Sequence, residues 1–163
     1  AYNDDEGIKK LFNKFCDDYK DKDIEHALVV TMDGEVYHCI GSSGDVDITV
    51  LGPKLQGAKV IHNHPDDGDV YGDCFSCSDF TTFFRCKIKR LEVTSGLGRF
   101  SIEYYGEPIT ETQAYWLYKQ GYRYVLAESI KSGNVVDYEQ RAIMRYLRDS
   151  VPSLKYVEEK NDL

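Results

Sequence analysis

The stretch Ile61-His62-Asn63-His64-Pro65, with Phe75-Ser76-Cys77-Ser78-Asp79 after a short spacer, decides how this chain is read. In an extended segment residues i and i+2 point to one face, so His62 and His64 converge on a common point. Catalytic zinc takes three protein ligands, chosen from histidine nitrogen and carboxylate oxygen, and keeps a fourth position open. Two histidines and an aspartate satisfy that rule. Pro65 closes the extended segment directly after the second histidine. The second half also reads as a helix start, because Ser76 with an acid three residues on, ahead of Phe80, Phe83 and Phe84, is the capping-box pattern. The two readings are compatible. A helix N-terminus holds Asp79 in a fixed direction, and rigid placement is what a metal site needs.

This order of residues resembles the JAMM (MPN+, JAB-type) metalloproteases, whose signature is an upstream glutamate, then H-x-H-P, a spacer and S-x-x-D. The His62-Asn63-His64-Pro65 spelling looks more like the bacterial and phage branch, including RadC-like and phage-associated JAB domains, than like the eukaryotic deubiquitinases. The approach to the motif, Glu25-His26-Ala27-Leu28-Val29-Val30 followed by Asp33-Gly34, Gly41 and Gly44, is also similar to JAB domains, so the resemblance covers about residues 25 to 105. Ten residues, 66 to 75, separate Pro65 from Ser76, a longer spacer than is usual in the family.

The resemblance implies an α/β fold of the JAB/MPN-like, cytidine-deaminase-like kind, with a central mixed β-sheet flanked by helices. It implies one catalytic zinc held by His62, His64 and Asp79, with Glu25 as general acid/base and Ser76 helping to hold the developing oxyanion. Each role has a physical reason. Zinc lowers the pKa of water to about 7, and a nearby carboxylate can take a proton from that water and hand it to the leaving amine. A positioned hydroxyl facing the oxyanion contributes roughly 3 kcal/mol if it behaves like other such donors. Two glutamates precede the histidines. Glu35 follows the Asp33-Gly34 turn, where a solvated acid is expected, whereas Glu25 opens the apolar run and is preferred. His26 and His38 read as surface or packing histidines.

Composition bounds the rest. A chain of 163 residues with 42% hydrophobic content buries one good core and leaves no room for two ordinary domains. A formal net charge of -8 argues against a nucleic-acid-binding surface and against attraction to anionic membranes. No apolar run approaches the roughly 20 residues that span a bilayer, and the N-terminus lacks a basic segment followed by an apolar one. Five cysteines, Cys16, Cys39, Cys74, Cys77 and Cys86, form an odd set at irregular spacings. That usage suits a reducing cytoplasm better than a disulfide framework, so a cytoplasmic location is expected. Cys74-x-x-Cys77 has no second CxxC to complete four ligands. The chain opens on Ala, which reads as a processed form or a piece of a longer polypeptide.

Periodicity predicts a helix over 5–19, a hairpin of 27–31 and 36–40, strands over 46–51 and 59–63, a helix over 76–86, strands over 90–94 and 99–105, helices over 111–129 and 137–148, and then a charged, frayed tail. This divides the chain into an N-terminal helix (1–24), a catalytic core (25–107) and a C-terminal helical extension packed on the core (108–163). The aromatic cluster Tyr115, Trp116, Tyr118, Tyr122 and Tyr124 reads as core. The Asp-rich loop over 66–74 reads as solvated, and it lies where a substrate tail would approach, so it is expected to shape specificity toward a basic segment. The functional expectation is a zinc-dependent hydrolase cleaving a peptide or isopeptide bond in a protein substrate, such as a ubiquitin-like conjugate or a precursor. The alternatives are a non-enzymatic JAB-fold interaction module and a metal-dependent hydrolase of a non-protein substrate.

Overall fold

The computed structural model describes residues 4–65, 74–133 and 140–160. The acidic loop after Pro65, with the specificity expected of it, and the first residues expected for the last helix lie outside the described residues. The first helix, α1 (Asp5–Tyr19), is capped by Asp4, whose carboxylate accepts from the Gly7 N–H, and carries Asp5 and Glu6 in its first turn, where the helix dipole favours negative charge. Its apolar stripe, Ile8, Phe12 and Phe15, packs on Val30 and Ile61.

A hairpin follows, β1 (His26–Val30) and β2 (Val36–Ile40), turning through Asp33-Gly34 with Gly34 at a positive φ of 88°. β3 (Lys59–Asn63) lies antiparallel to β1 with Ala27 opposite His62. After α2 (Cys77–Arg85) the chain returns as β4 (Arg90–Ser95), parallel to β3 with His62 opposite Val93. β5 (Gly98–Tyr104) and β6 (Leu154–Lys160) add antiparallel strands, giving one six-stranded mixed sheet in the order β2-β1-β3-β4-β5-β6. Between β5 and β6 run α3 (Glu111–Ser132) and α4 (Gln140–Ser150).

The pleat sorts side chains to two faces. Ala27, Val29, Val60, Val93 and Phe100 join Phe80, Phe83, Tyr118, Met144 and Leu147 in the main core, beneath α2, α3 and α4. Leu28, Val30 and Ile61 face the smaller α1 cluster.

Three expectations require correction. Residues 46–51 form no strand: an irregular segment leads into a 3-10 stretch, Thr49–Leu55. Both edges of β1 are taken by β2 and β3, and alternating Val46, Ile48 and Val50 does not pair with the outer edge of β2, which ends the sheet. Asp47 accepts from the Thr49 N–H at 2.9 Å, Gly52 turns the chain at φ 56°, and Pro53 cannot donate. The tail is not frayed, and the C-terminal extension is not purely helical. Leu154 and Tyr156 are buried between charged neighbours as β6 pairs with β5, and Glu158 takes a bidentate grip from Arg145 at 2.7 and 2.9 Å. Local sequence could not show this, because the partner strand lies some fifty positions upstream. The aromatic cluster is split as well. Tyr118 is core and donates to the Phe75 carbonyl at 2.7 Å, whereas Tyr115, Trp116 and Tyr124 are exposed.

Gly41 packs closely against the backbone of residues 45 and 46. A Cβ there would stand 2.0 Å from the Asp45 carbonyl oxygen and 2.7 Å from the Val46 Cα. Gly41→Ala is expected to push residues 45–46 aside and cost about 1–3 kcal/mol in urea denaturation, while an unchanged midpoint would show the loop to be soft.

The Arg145 hydrogen bonds, acting against partial burial, hold the Glu158 carboxyl below its ordinary range. A depressed pKa contributes stability above the unfolded value of about 4.3 and loses it as pH falls through the folded value. Glu158→Gln is therefore expected to lose roughly 1–2 kcal/mol at pH 7, with the deficit shrinking below about pH 4. A pH-independent deficit would locate the effect elsewhere.

Candidate metal centre

His62 and His64 are carried by the end of a central strand, where the direction of His62 is set by ladders on both sides. His64 extends the parallel ladder one step further, its N–H donating to the Thr94 carbonyl at 2.9 Å. Pro65 has no N–H to continue it. Both rings project to the main-core side of the sheet and are buried, at 4% and 9% exposure.

The His62 Nδ1 lies 2.9 Å from the Glu92 carbonyl oxygen. A carbonyl only accepts, so in the neutral ring Nδ1 carries the proton and Nε2 presents its lone pair to the cleft. The two Nε2 atoms stand 3.0 Å apart.

Asp79 approaches from α2. Ser76 is the N-cap: its hydroxyl accepts from the Asp79 N–H at 3.0 Å, and Asp79 Oδ2 accepts from the Ser76 N–H at 3.0 Å. That same Oδ2 lies 3.4 Å from His62 Nε2 and 3.3 Å from His64 Nε2. The cap therefore aims the carboxylate at the histidines. Burial works against the Asp79 charge, yet the two imidazoles hold its carboxyl well below the usual carboxylate range.

Glu25 precedes β1 on the same face of the sheet. Its N–H donates to the Ser42 carbonyl at 2.7 Å and its carbonyl accepts from the Gly41 N–H at 2.8 Å. The carboxyl is 8% exposed, and its donor atom lies within 4.8 Å of those of His62 and His64. Burial pushes its pKa up, opposed by the two histidines and reinforced by Asp79 and Asp45. Glu25, His62 and His64 thus form a buried group that could hold a metal ion.

The structure therefore brings Glu25, His62, His64, Ser76 and Asp79 together around one cleft of about 440 Å³. Glu35 is elsewhere, exposed and engaged by Tyr37 and Lys54. His26 and His38 contact one another at 2.9 Å beside Tyr19, away from the cleft. No disulfide joins the five cysteines, and Cys74 is buried at 3.4 Å from the Tyr156 hydroxyl. Sequence reasoning missed the far wall of the cleft, where Asp45, Asp47 and Ile48 face Thr82 and Arg85 of α2. Its only signal was the Gly41-to-Gly44 turn, read as a connection to a strand. It also missed the Glu92 carbonyl, since a backbone acceptor leaves no mark in a sequence. Among the described residues no helix is long and apolar enough to cross a membrane. Comparison with family models, with curated proteins and with solved structures finds no match to this chain.

Proposed function

We propose that this chain is a zinc-dependent hydrolase of the JAMM type, cleaving a peptide or isopeptide bond in a protein or peptide substrate. One observation carries the reading: His62 Nε2, His64 Nε2 and Asp79 Oδ2 form a triangle with sides of 3.0, 3.4 and 3.3 Å. A tetrahedral zinc with ligands at about 2.0–2.1 Å spaces its donors by about 3.3–3.4 Å. Two imidazole nitrogens and a carboxylate oxygen converging this closely suit a shared cation, and such a donor set suits zinc better than calcium or magnesium. The His62–Glu92 contact supplies the outer hydrogen bond that orients a metal-binding imidazole. The mixed sheet, with the histidines at the end of β3 and α2 crossing from β3 to its parallel neighbour β4, supports a JAB/MPN-like fold.

When bound, zinc supplies Lewis acidity, polarising the scissile carbonyl and making water a nucleophile at neutral pH. His62, His64 and Asp79 would hold the ion, and Glu25 would handle protons. Its carboxylate takes one proton as a water oxygen bonds to the carbonyl carbon, then returns it to the nitrogen as the carbon–nitrogen bond breaks. The Ser76 hydroxyl accepts from the Asp79 N–H, and no described residue engages its own proton, which is available to donate to the oxyanion. The cleft is lined by Glu25, Asp45, Asp47 and Asp79, with Arg85 as the one lysine or arginine among its described lining residues. This lining disfavours a polyanion such as nucleic acid and suits a neutral or basic peptide.

Protein purified without added metal is expected to carry one zinc per chain by mass spectrometry, largely lost in His64→Ala and in Asp79→Ala. Wild type that is metal-free and takes up no added zinc would end the hydrolase reading in favour of an interaction module. Glu25→Gln is expected to keep its zinc while kcat on a fluorescence-quenched peptide library falls about 10²–10⁴-fold. Loss of zinc from Glu25→Gln to the extent seen in His64→Ala would instead make Glu25 a ligand.

A further inference from the structure

Asn63 stands between the two histidines, is completely buried, and takes no part in the chemistry described so far. On β3 it alternates with them, so its side chain lies on the opposite face of the sheet, the face that Ile61 shares with Phe12 and Phe15. A primary amide buried there is costly unless its donors and acceptor are satisfied. Its partners are specific. Asn63 Oδ1 accepts from the His26 N–H at 2.6 Å, and Nδ2 donates to the Ile24 carbonyl at 3.0 Å.

Those two atoms belong to the peptide units immediately before and after Glu25. The other polar atoms of the same two peptides, the Glu25 N–H and carbonyl, are held from the opposite side by the Ser42 carbonyl and the Gly41 N–H. All four backbone polar groups that bracket the Glu25 Cα are thus fixed, two of them by a side chain of the strand that carries the histidines. β1 begins only at His26, and its ladder with β3 ends at the pair Ala27–His62. The Asn63 amide takes over where the backbone ladder stops.

We propose that Asn63 is a positioning residue for Glu25: by bridging Ile24 and His26 it fixes the Glu25 carboxylate against the neighbouring His62 and His64. The proposal rests on the reading of Glu25 as the acid/base and adds the device that places it. The device needs an amide. Aspartate keeps the acceptor for His26 but sets a second acceptor against the Ile24 carbonyl, and an aliphatic side chain satisfies neither partner.

The test combines kinetics with amide hydrogen exchange by NMR on the zinc-free protein. In Asn63→Ala the His26 amide is expected to exchange about tenfold or more faster, while the Val29 and Val60 amides keep their protection. On the library peptide that wild type cleaves fastest, kcat is expected to fall about 10²-fold with KM nearly unchanged and zinc content retained. In a Glu25→Gln background the second substitution should change kcat by less than about twofold, because its effect passes through Glu25. Additive losses, loss of zinc, or unchanged His26 exchange would each overturn the proposal. Should wild type cleave nothing, the hydrolase reading fails, and the exchange measurement alone decides the clamp in either direction. If Asn63→Ala does not fold, Asn63→Asp carries the same kinetic comparison.

Discussion

One carboxylate oxygen, Asp79 Oδ2, holds the site and the fold to each other. It closes the capping box of α2 by accepting the Ser76 N–H at 3.0 Å, and it stands within 3.4 Å of both histidine Nε2 atoms. The orientation of the helix and the geometry of the donor cluster are therefore one constraint. The positive end of the helix dipole and the two imidazoles both favour the ionised carboxylate, which offsets the cost of holding it in a mostly enclosed place. The rest of the helix cannot drift, since Phe80, Phe83 and Phe84 are sunk into the core.

β3 supplies the second half of that constraint through its pleat. Val60, His62 and His64 face the main core and the cleft, while Ile61 and Asn63 face the α1 side. A slip of one residue would exchange the two sets and remove both histidines from the site. Antiparallel pairing with β1 and parallel pairing with β4 make such a slip costly, because two ladders and two apolar faces would fail together. A central strand is where a site of this kind gains the most rigidity, and an edge strand such as β2 or β6 offers only one ladder.

The parts of the architecture legible in the sequence are those decided locally. Helical periodicity located α1, the Asp-Gly turn located the hairpin, and Ser76 with Asp79 located the start of α2. The five residues expected around the cleft meet there for the same reason: each sits at an element boundary whose signal is short-range. The failures were mostly non-local. Val46, Ile48 and Val50 alternate like a strand, but the Asp47 contact to Thr49 and the turn at Gly52 lead the segment into a 3-10 stretch, and β2 ends the sheet. The charged segment from Leu154 to Lys160 becomes a strand because β5 offers it an edge and the core accepts Leu154 and Tyr156. Its charges on the outer edge suit a terminal strand that must not pair further. Asn63 was legible only as the variable letter of a motif, since its partners are backbone atoms 37 and 39 positions away.

The proton on His62 connects these levels. Its Nδ1 is committed to the Glu92 carbonyl of β4, a contact available only because β3 and β4 run in register side by side. Glu92 itself is anchored on the other face of the sheet by Arg90 at 3.1 Å and Arg99 at 2.8 Å, and Arg99 also reaches Asn13 of α1. The tautomer of a buried histidine in the cleft is thus set by a strand whose side chains are tied to a helix on the opposite face. With Nδ1 committed to that carbonyl, His62 turns its Nε2 toward His64 Nε2 and the Asp79 carboxylate, the arrangement in which a shared cation would join all three. On the proposed reading, the topology of the sheet sets which nitrogen of His62 faces the metal before any substrate arrives.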